Sequence, residues 1–189
     1  MLRIVVITCG AFCYNHSMAK VLLVIAQDGF QTKEYHDPKR VLLAAGHTVV
    51  TGSMETGGAV SNMGEHVSVD VALRDVDAGD YDGVFIVGGS GALKSLDNDE
   101  TARIVKDAEA HEGMPYGAIC ISPRILSKAG VLRGKRATGA NGDTKLPEIF
   151  REAGVSYEPK PVVVDGRTVT ADGPSSAVAF GEAIVHLLK

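Results

Sequence analysis

GMPYGAICISPRILSKAGVLRGKRATG, residues 113–139, is the stretch on which the fold turns. Tyr116 to Cys120 is a short apolar run of strand length, and Ile125, Leu126 and Ala129 then recur at helical spacing up to Gly130. A cysteine at a strand-to-helix turn faces the unpaired N–H groups of the first helical turn. Those groups and the helix dipole favour thiolate over thiol, which is how a cysteine becomes a nucleophile. A free cysteine also packs well as a small hydrophobe, so the chemistry rests on what surrounds Cys120.

Working outward, the pattern alternates between strand and helix. Residues 21–26 (VLLVIA), 47–53 (HTVVTGS), 84–89 (VFIVGG) and 116–120 (YGAIC) read as parallel neighbours. Ala45-Gly46, Ala129-Gly130 and Ala153-Gly154 each close a helical pattern before a β-rich stretch, as C-terminal helix glycines do. HVSVDVAL, 66–73, alternates and predicts a strand pair or ribbon leading to the sheet's edge. Asp165-Gly166, between two β-rich runs in 161–171, predicts a hairpin. A final helix over 175–188 returns to cover one face. The expected fold class is α/β: a flavodoxin-like sandwich, mainly a parallel sheet with helices on both faces and a nucleophile elbow at Cys120. With no internal repeat or linker, residues 18–189 are expected to form a single domain.

The 189 residues are 45% hydrophobic and 22% charged, enough to bury an apolar core without a disulfide or structural metal. Nineteen basic against 23 acidic residues, a net charge of −4 with no long basic run, argue against nucleic acid as a partner. No apolar run reaches the roughly 20 residues that span a bilayer, so no membrane partner is expected. Three cysteines in dissimilar contexts do not make a disulfide framework, and Cys120 reads as a free thiol in a reducing, cytoplasmic compartment. Residues 1–17, MLRIVVITCGAFCYNHS, sit awkwardly before Met18, where MAKVLLVIAQDGF begins a first strand. They read as an N-terminal extension with Met18 as the natural start. A signal peptide is the rival reading, but no A-x-A cleavage site follows. Cys9, Cys13 and His16 make three potential ligands without a fourth, and no metal is expected.

In open α/β sheets reactive groups gather at the carboxyl ends of the strands. Cys120 follows one strand, Gly88-Gly89 another, and Glu34 lies shortly after a third, so all three can meet at one rim. Gly88 and Gly89 would bring N–H groups toward an incoming oxygen and, with the N–H of Ile121, form an oxyanion site. Ser122 puts a hydroxyl where it would bind substrate or cap the helix.

The wording of the segment resembles the DJ-1/PfpI (ThiJ) superfamily, which shares an elbow with the class I glutamine amidotransferases and carries the pattern A-I-C-x-x-P followed by L-x-x-A-G-V-L-x-G-K-x-A-T. Here these are Ala118-Ile119-Cys120 with Pro123, then Leu126, Ala129-Gly130-Val131-Leu132, Gly134-Lys135 and Ala137-Thr138. DGFQTKEYHDPKRVLLAAGHTVV (28–50) is similar to the family's acidic-residue helix, and YDGVFIVGGSGA (81–92) to its glycine loop. The resemblance runs from about residue 19 to the C-terminus. It implies that Glu34 lies beside Cys120, mostly protonated, with its pKa raised while that of the sulfur is lowered. Gln31 stands where the family often has a second acid. Ile121 stands where the protease-like branch has histidine, and Gly139 to Asp143 contain no histidine where the DJ-1-like branch supplies one, leaving Asn141 or Asp143 as a third residue or the whole as a turn. The C-terminus also lacks the His-x-Glu pair of an amidotransferase.

The resemblance, closer to the DJ-1-like branch, implies a cysteine-dependent enzyme acting on small reactive carbonyls, a glutathione-independent glyoxalase or deglycase that is a lyase or hydrolase without a cofactor. Cys120 would be the nucleophile and Glu34 the acid and base. One competing reading is a redox-responsive stress protein or chaperone with an oxidisable Cys120. Another is an intracellular peptidase or amidase of PfpI type. A homo-oligomer, dimer or hexamer, is implied as well.

Overall fold

Four apolar runs that lie apart in the sequence become the adjacent inner strands of one sheet. The computed structural model describes residues 18–188. The extension at 1–17 and the Cys9, Cys13 and His16 trio lie outside the described residues. In chain order the elements are β1 (Lys20–Val24), β2 (Asp28–Phe30), α1 (Thr32–Ala44), β3 (Thr48–Ser53), β4 (Gly57–Ser61), β5 (His66–Val69), β6 (Val71–Ala72), β7 (Gly83–Ile86), α2 (Ala92–Ser95), α3 (Asp99–Ala110), β8 (Tyr116–Ile119), α4 (Pro123–Ala129), β9 (Arg136–Ala137), α5 (Leu146–Glu152), β10 (Ser156–Tyr157), β11 (Val162–Asp165), β12 (Thr168–Ala171) and α6 (Ala177–Leu187).

The main sheet runs β11-β12-β8-β7-β1-β3-β6. Every pairing in it is parallel except that of β11 with β12. Strands buried on both faces have no polar side to alternate with, which is why β7 and β8 are buried at every position and β1 at all but Lys20. Helices α1 and α6 pack on each other, as do α3 and α4, which gives the sheet its two helical layers. The α1–α6 crossing is close because Gly181 faces Pro38, where a methyl group would lie 2.9 Å from the Pro38 Cα. The core unites Leu22, Phe85, Ile86, Tyr116, Phe150 and Phe180, all fully buried.

The expected punctuation is present. Gly46, Gly130 and Gly154 have φ of 86°, 87° and 72°, the left-handed conformation that ends a helix. Asp165 pairs with Thr168 across the hairpin turn, and Gly166 takes φ 59°. The alternating run 66–73 divides in two. β5 joins β4 in a ribbon that continues to β2, whereas β6 forms the edge of the main sheet beside β3. Asp70 is the point of division. Its N–H donates to the Thr51 carbonyl at 2.8 Å and its carboxylate accepts the Thr51 N–H at 2.8 Å, so the chain is tied to β3 just before β6 begins.

Candidate active site

β8 ends at Ile119 and α4 begins at Pro123, so the chain must reverse within three residues. Cys120 makes the turn at φ 64°, a left-handed conformation that a non-glycine residue holds only when its surroundings impose it. The surroundings do so from two sides. The Cys120 N–H donates to the Ala171 carbonyl of β12 at 2.8 Å, and the Cys120 carbonyl accepts the Ala140 N–H at 2.6 Å. The thiol is left partly exposed and is not in a disulfide.

Glu34 comes to the sulfur from α1. Gln31 caps that helix, its side-chain oxygen accepting the Glu34 N–H at 2.9 Å, and its own N–H donates to the Gly88 carbonyl at 2.9 Å. The residue standing where the family often has a second acid therefore fixes both the start of α1 and the glycine loop. The Glu34 carboxyl is fully buried. Its Oε2 accepts the Gly88 N–H at 3.1 Å and the carboxyl hydrogen-bonds the Cys120 side chain, while Oε1 has no other protein partner.

The glycine loop closes the third side. A methyl group on Gly88 would lie 2.6 Å from Glu34 Oε2 and 2.7 Å from the Cys120 Cβ, so glycine alone fits between carboxyl and thiol without displacing either. Gly89, at φ 126°, turns its N–H toward the Cys120 sulfur together with the N–H of Ile121.

Burial raises the Glu34 pKa from 4.5 to about 7, opposed by the hydrogen bonds to Cys120 and Gly88. Burial and the adjacent Glu34 carboxylate push the Cys120 thiol up to about 12, opposed by the N–H groups of Ile121 and Gly89. The sequence expectation of a lowered thiol is thus reversed while Glu34 is ionised, because two N–H groups do not outweigh a like charge and desolvation together. Near neutrality the thiol keeps its proton and the acid is the group that titrates. A proton on Glu34 removes the repulsion that raises the sulfur, so the two titrate as a pair.

The expected oxyanion and substrate contacts divide. Gly89 and Ile121 direct N–H groups at the sulfur. The N–H of Gly88 is already taken by Glu34. Ser122 is fully buried and neither caps α4 nor meets solvent. Its hydroxyl donates to the Val87 carbonyl at 2.9 Å and ties the elbow to the strand before the glycine loop.

The candidates for a third residue are committed as well. Asn141 Oδ1 accepts the Leu146 N–H at 3.1 Å at the start of α5, and the Asp143 carboxylate pairs with Arg124 at 2.6 Å. The Arg124 guanidinium holds the Asp143 carboxyl well below the usual carboxylate range. Both residues serve the turn. Arg124 was missed, since nothing local in the sequence connects it with a residue 19 positions on. Among the histidines, His36 pairs with Glu65 at 2.9 Å, and His47 accepts the Ala19 N–H at the opposite end of β1 from the rim. Among the described residues, no cluster of three His, Cys, Asp or Glu side chains could hold a metal, and no helix is long and apolar enough to cross a membrane.

A mostly parallel α/β sheet with a cysteine on a strained strand-to-helix turn, a buried acid beside the sulfur and a glycine loop opposite defines a nucleophile-elbow protein. The DJ-1/PfpI family model matches residues 19–187, and the chain belongs to that family. It is 33% identical to a deglycase of Pyrococcus abyssi over 89% of this chain and 99% of that one. It is 34% identical over 91% of its length to the whole of YraA of Bacillus subtilis, a protein whose name assigns it provisionally as a cysteine protease. Among solved structures it is similar to a ThiJ/PfpI domain protein from Brachyspira murdochii, with 27% identity, a TM-score of 0.82, and 90% of this chain and 96% of that one covered. It is also similar to Drosophila melanogaster DJ-1beta, with 27% identity, a TM-score of 0.80 and 91% of each chain covered.

Proposed function

We propose that the protein is a cysteine-dependent enzyme acting on small reactive carbonyls, as a glutathione-independent glyoxalase or a deglycase of early glycation adducts. The observation that carries this reading is the hydrogen bond between the buried Glu34 carboxyl, with a pKa raised to about 7, and the Cys120 thiol on its strained turn. A base with a pKa near the working pH is best suited to moving protons in both directions. The deglycase name of the Pyrococcus abyssi relative points to the same substrate class.

With an α-oxoaldehyde, the Glu34 carboxylate takes the S–H proton as the sulfur bonds to the aldehyde carbon and passes it to the carbonyl oxygen, which becomes the hemithioacetal hydroxyl and leaves Glu34 ionised again. The N–H groups of Gly89 and Ile121 hold that oxygen as charge develops on it. Glu34 then removes the proton from the former aldehyde carbon and returns it to the adjacent carbon, while the hemithioacetal hydroxyl proton passes to the ketone oxygen on that carbon, which converts the hemithioacetal to a 2-hydroxy thioester. Water cleaves the thioester, releasing the hydroxy acid and restoring the thiol. A free nucleophilic thiol of this kind suits a reducing compartment such as the cytoplasm.

One observation favours a second reading. The N–H groups of Gly89 and Ile121 that point at the sulfur would equally hold the oxygens of an oxidised Cys120, as in a peroxide-responsive protein. Turnover separates the two. Lactate formed from methylglyoxal without glutathione, over many equivalents per protein and lost in Cys120→Ala, is the expected result. Stoichiometric consumption or none would overturn the carbonyl enzyme and favour oxidation sensing.

A further inference from the structure

The segment after Thr138, where the DJ-1-like branch would supply a histidine, lies against the back of the elbow. The Ala140 N–H reaches the Cys120 carbonyl at 2.6 Å. A methyl group on Gly139 would lie 3.0 Å from that carbonyl oxygen and 3.2 Å from Pro123 Cγ, so the segment packs tightly on the elbow. Arg124, four residues beyond the cysteine, holds this segment with a planar fork. Its Nη1 donates to Asp143 Oδ2 at 2.9 Å and its Nη2 to Asp143 Oδ1 at 2.6 Å, while Nη2 also reaches the Ala140 carbonyl at 3.2 Å. The Arg124 side chain is only 11% exposed, with Asp143 at 44%. Two non-glycine residues have positive φ among the described residues, Cys120 at 64° and Thr144 at 61°. They lie in the two segments that the fork joins. Backbone held in this region relaxes unless its surroundings over-determine it.

We propose that Arg124 and Asp143 are positioning residues for Cys120, their ion pair holding residues 139–145 on the elbow so that the Ala140 N–H fixes the Cys120 carbonyl and keeps the sulfur facing Gly89, Ile121 and Glu34. A bidentate carboxylate grip needs the guanidinium plane, and a lysine supplies one point contact in its place. The proposal rests on the reading of Cys120 as the nucleophile, but it concerns the thiol's reactivity and not what the thiol attacks.

The test follows alkylation of Cys120 by iodoacetamide between pH 6 and 10 in full-length protein carrying Cys9→Ser and Cys13→Ser, so that one thiol reports. Arg124→Gln and Asp143→Asn are each expected to slow alkylation about tenfold throughout this range, because the sulfur loses alignment with its N–H donors. The double variant adds nothing to either single one, as for two halves of one device. Arg124→Lys falls between wild type and Arg124→Gln. Arg74→Gln, which breaks the 2.7 Å pair with Glu55 far from the elbow, leaves the profile unchanged. An unchanged profile in either single variant with a native circular dichroism spectrum, an additive double variant, or an equal slowing in Arg74→Gln would overturn the proposal. If Arg124→Gln does not fold, Asp143→Asn decides by the same criterion. Failure of the wild type to turn over methylglyoxal would count against the carbonyl reading and leave this measurement standing.

Discussion

The Gly88 N–H lies 3.1 Å from Glu34 Oε2. A donor that the sequence would assign to an oxyanion is instead holding the acid, so the glycine loop sets the position of Glu34 as much as it shapes the space above Cys120. The loop also touches α1 a second time, where the Gln31 N–H meets the Gly88 carbonyl. Acid and loop therefore move together.

Glu34→Gln preserves an oxygen for the Gly88 N–H and removes the titration. Turnover of methylglyoxal is expected to fall by about 10²–10⁴-fold, the usual worth of general acid–base help, and the limb of the pH–rate profile near pH 7 is expected to vanish.

The same residue makes stability fall with pH. A carboxyl raised from 4.5 to about 7 binds its proton more tightly in the folded state, so the native protein loses on the order of 3 kcal/mol as pH rises from below 4.5 to above 7. Urea denaturation between pH 5 and 8 should show this decline in the wild type. In Glu34→Gln the curve should be flatter over the same window, and an identical slope in both proteins would refute the assignment.

Ser122→Ala separates two roles for that hydroxyl. Removing it leaves the buried Val87 carbonyl without its side-chain donor, a loss of about 1–3 kcal/mol in denaturant midpoint measurements. KM should not change, because the hydroxyl is buried and bonded to the Val87 carbonyl. A raised KM with unchanged stability would return Ser122 to substrate binding.

Cys120→Gly and Cys120→Ala should both be inactive, yet differ in stability. At φ 64° glycine carries no Cβ penalty, so the glycine variant is expected to be the more stable by roughly 1 kcal/mol in thermal or urea melts. Equal stability would mean that the turn relaxes in the alanine variant.

Gly88→Ala should disturb the contact between Glu34 and Cys120 directly. The added methyl group would overlap Glu34 Oε2 and the Cys120 Cβ, and overpacking of this kind costs about 1–3 kcal/mol. Loss of Cys120 alkylation selectivity beyond that expected from stability, measured below the melting temperature, would show the geometry failing first.

The strands and their ends were legible because each announces itself locally. Leu22 and Phe85 stand in apolar runs, and Gly46, Gly130 and Gly154 mark helix ends by their own backbone requirement. The turn at Gly166 needs only two residues to be recognised. The split of 66–73 was not legible as it fell, since the division at Asp70 depends on Thr51 across the sheet. At the site, residue types were readable while directions were not. The sequence names Gly88, Ser122 and Asp143, but where an N–H, a hydroxyl or a carboxylate points is decided by partners 54, 35 and 19 positions away. For the thiol, the helix-turn argument expected N–H groups of the first helical turn, whereas those at the sulfur come from Ile121 before the helix and Gly89 of the glycine loop. Nor could it weigh them against burial beside a carboxylate.

The bond from the Cys120 N–H to the Ala171 carbonyl has a consequence for synthesis. β12 runs beside β8 and supplies one of the two backbone bonds that hold Cys120, yet its residues follow Cys120 by some fifty positions in the chain. During translation the thiol emerges well before its support does. The Cys120 turn gains this bond only when the hairpin 162–171 docks, so the geometry at the sulfur is completed with the arrival of the last strands.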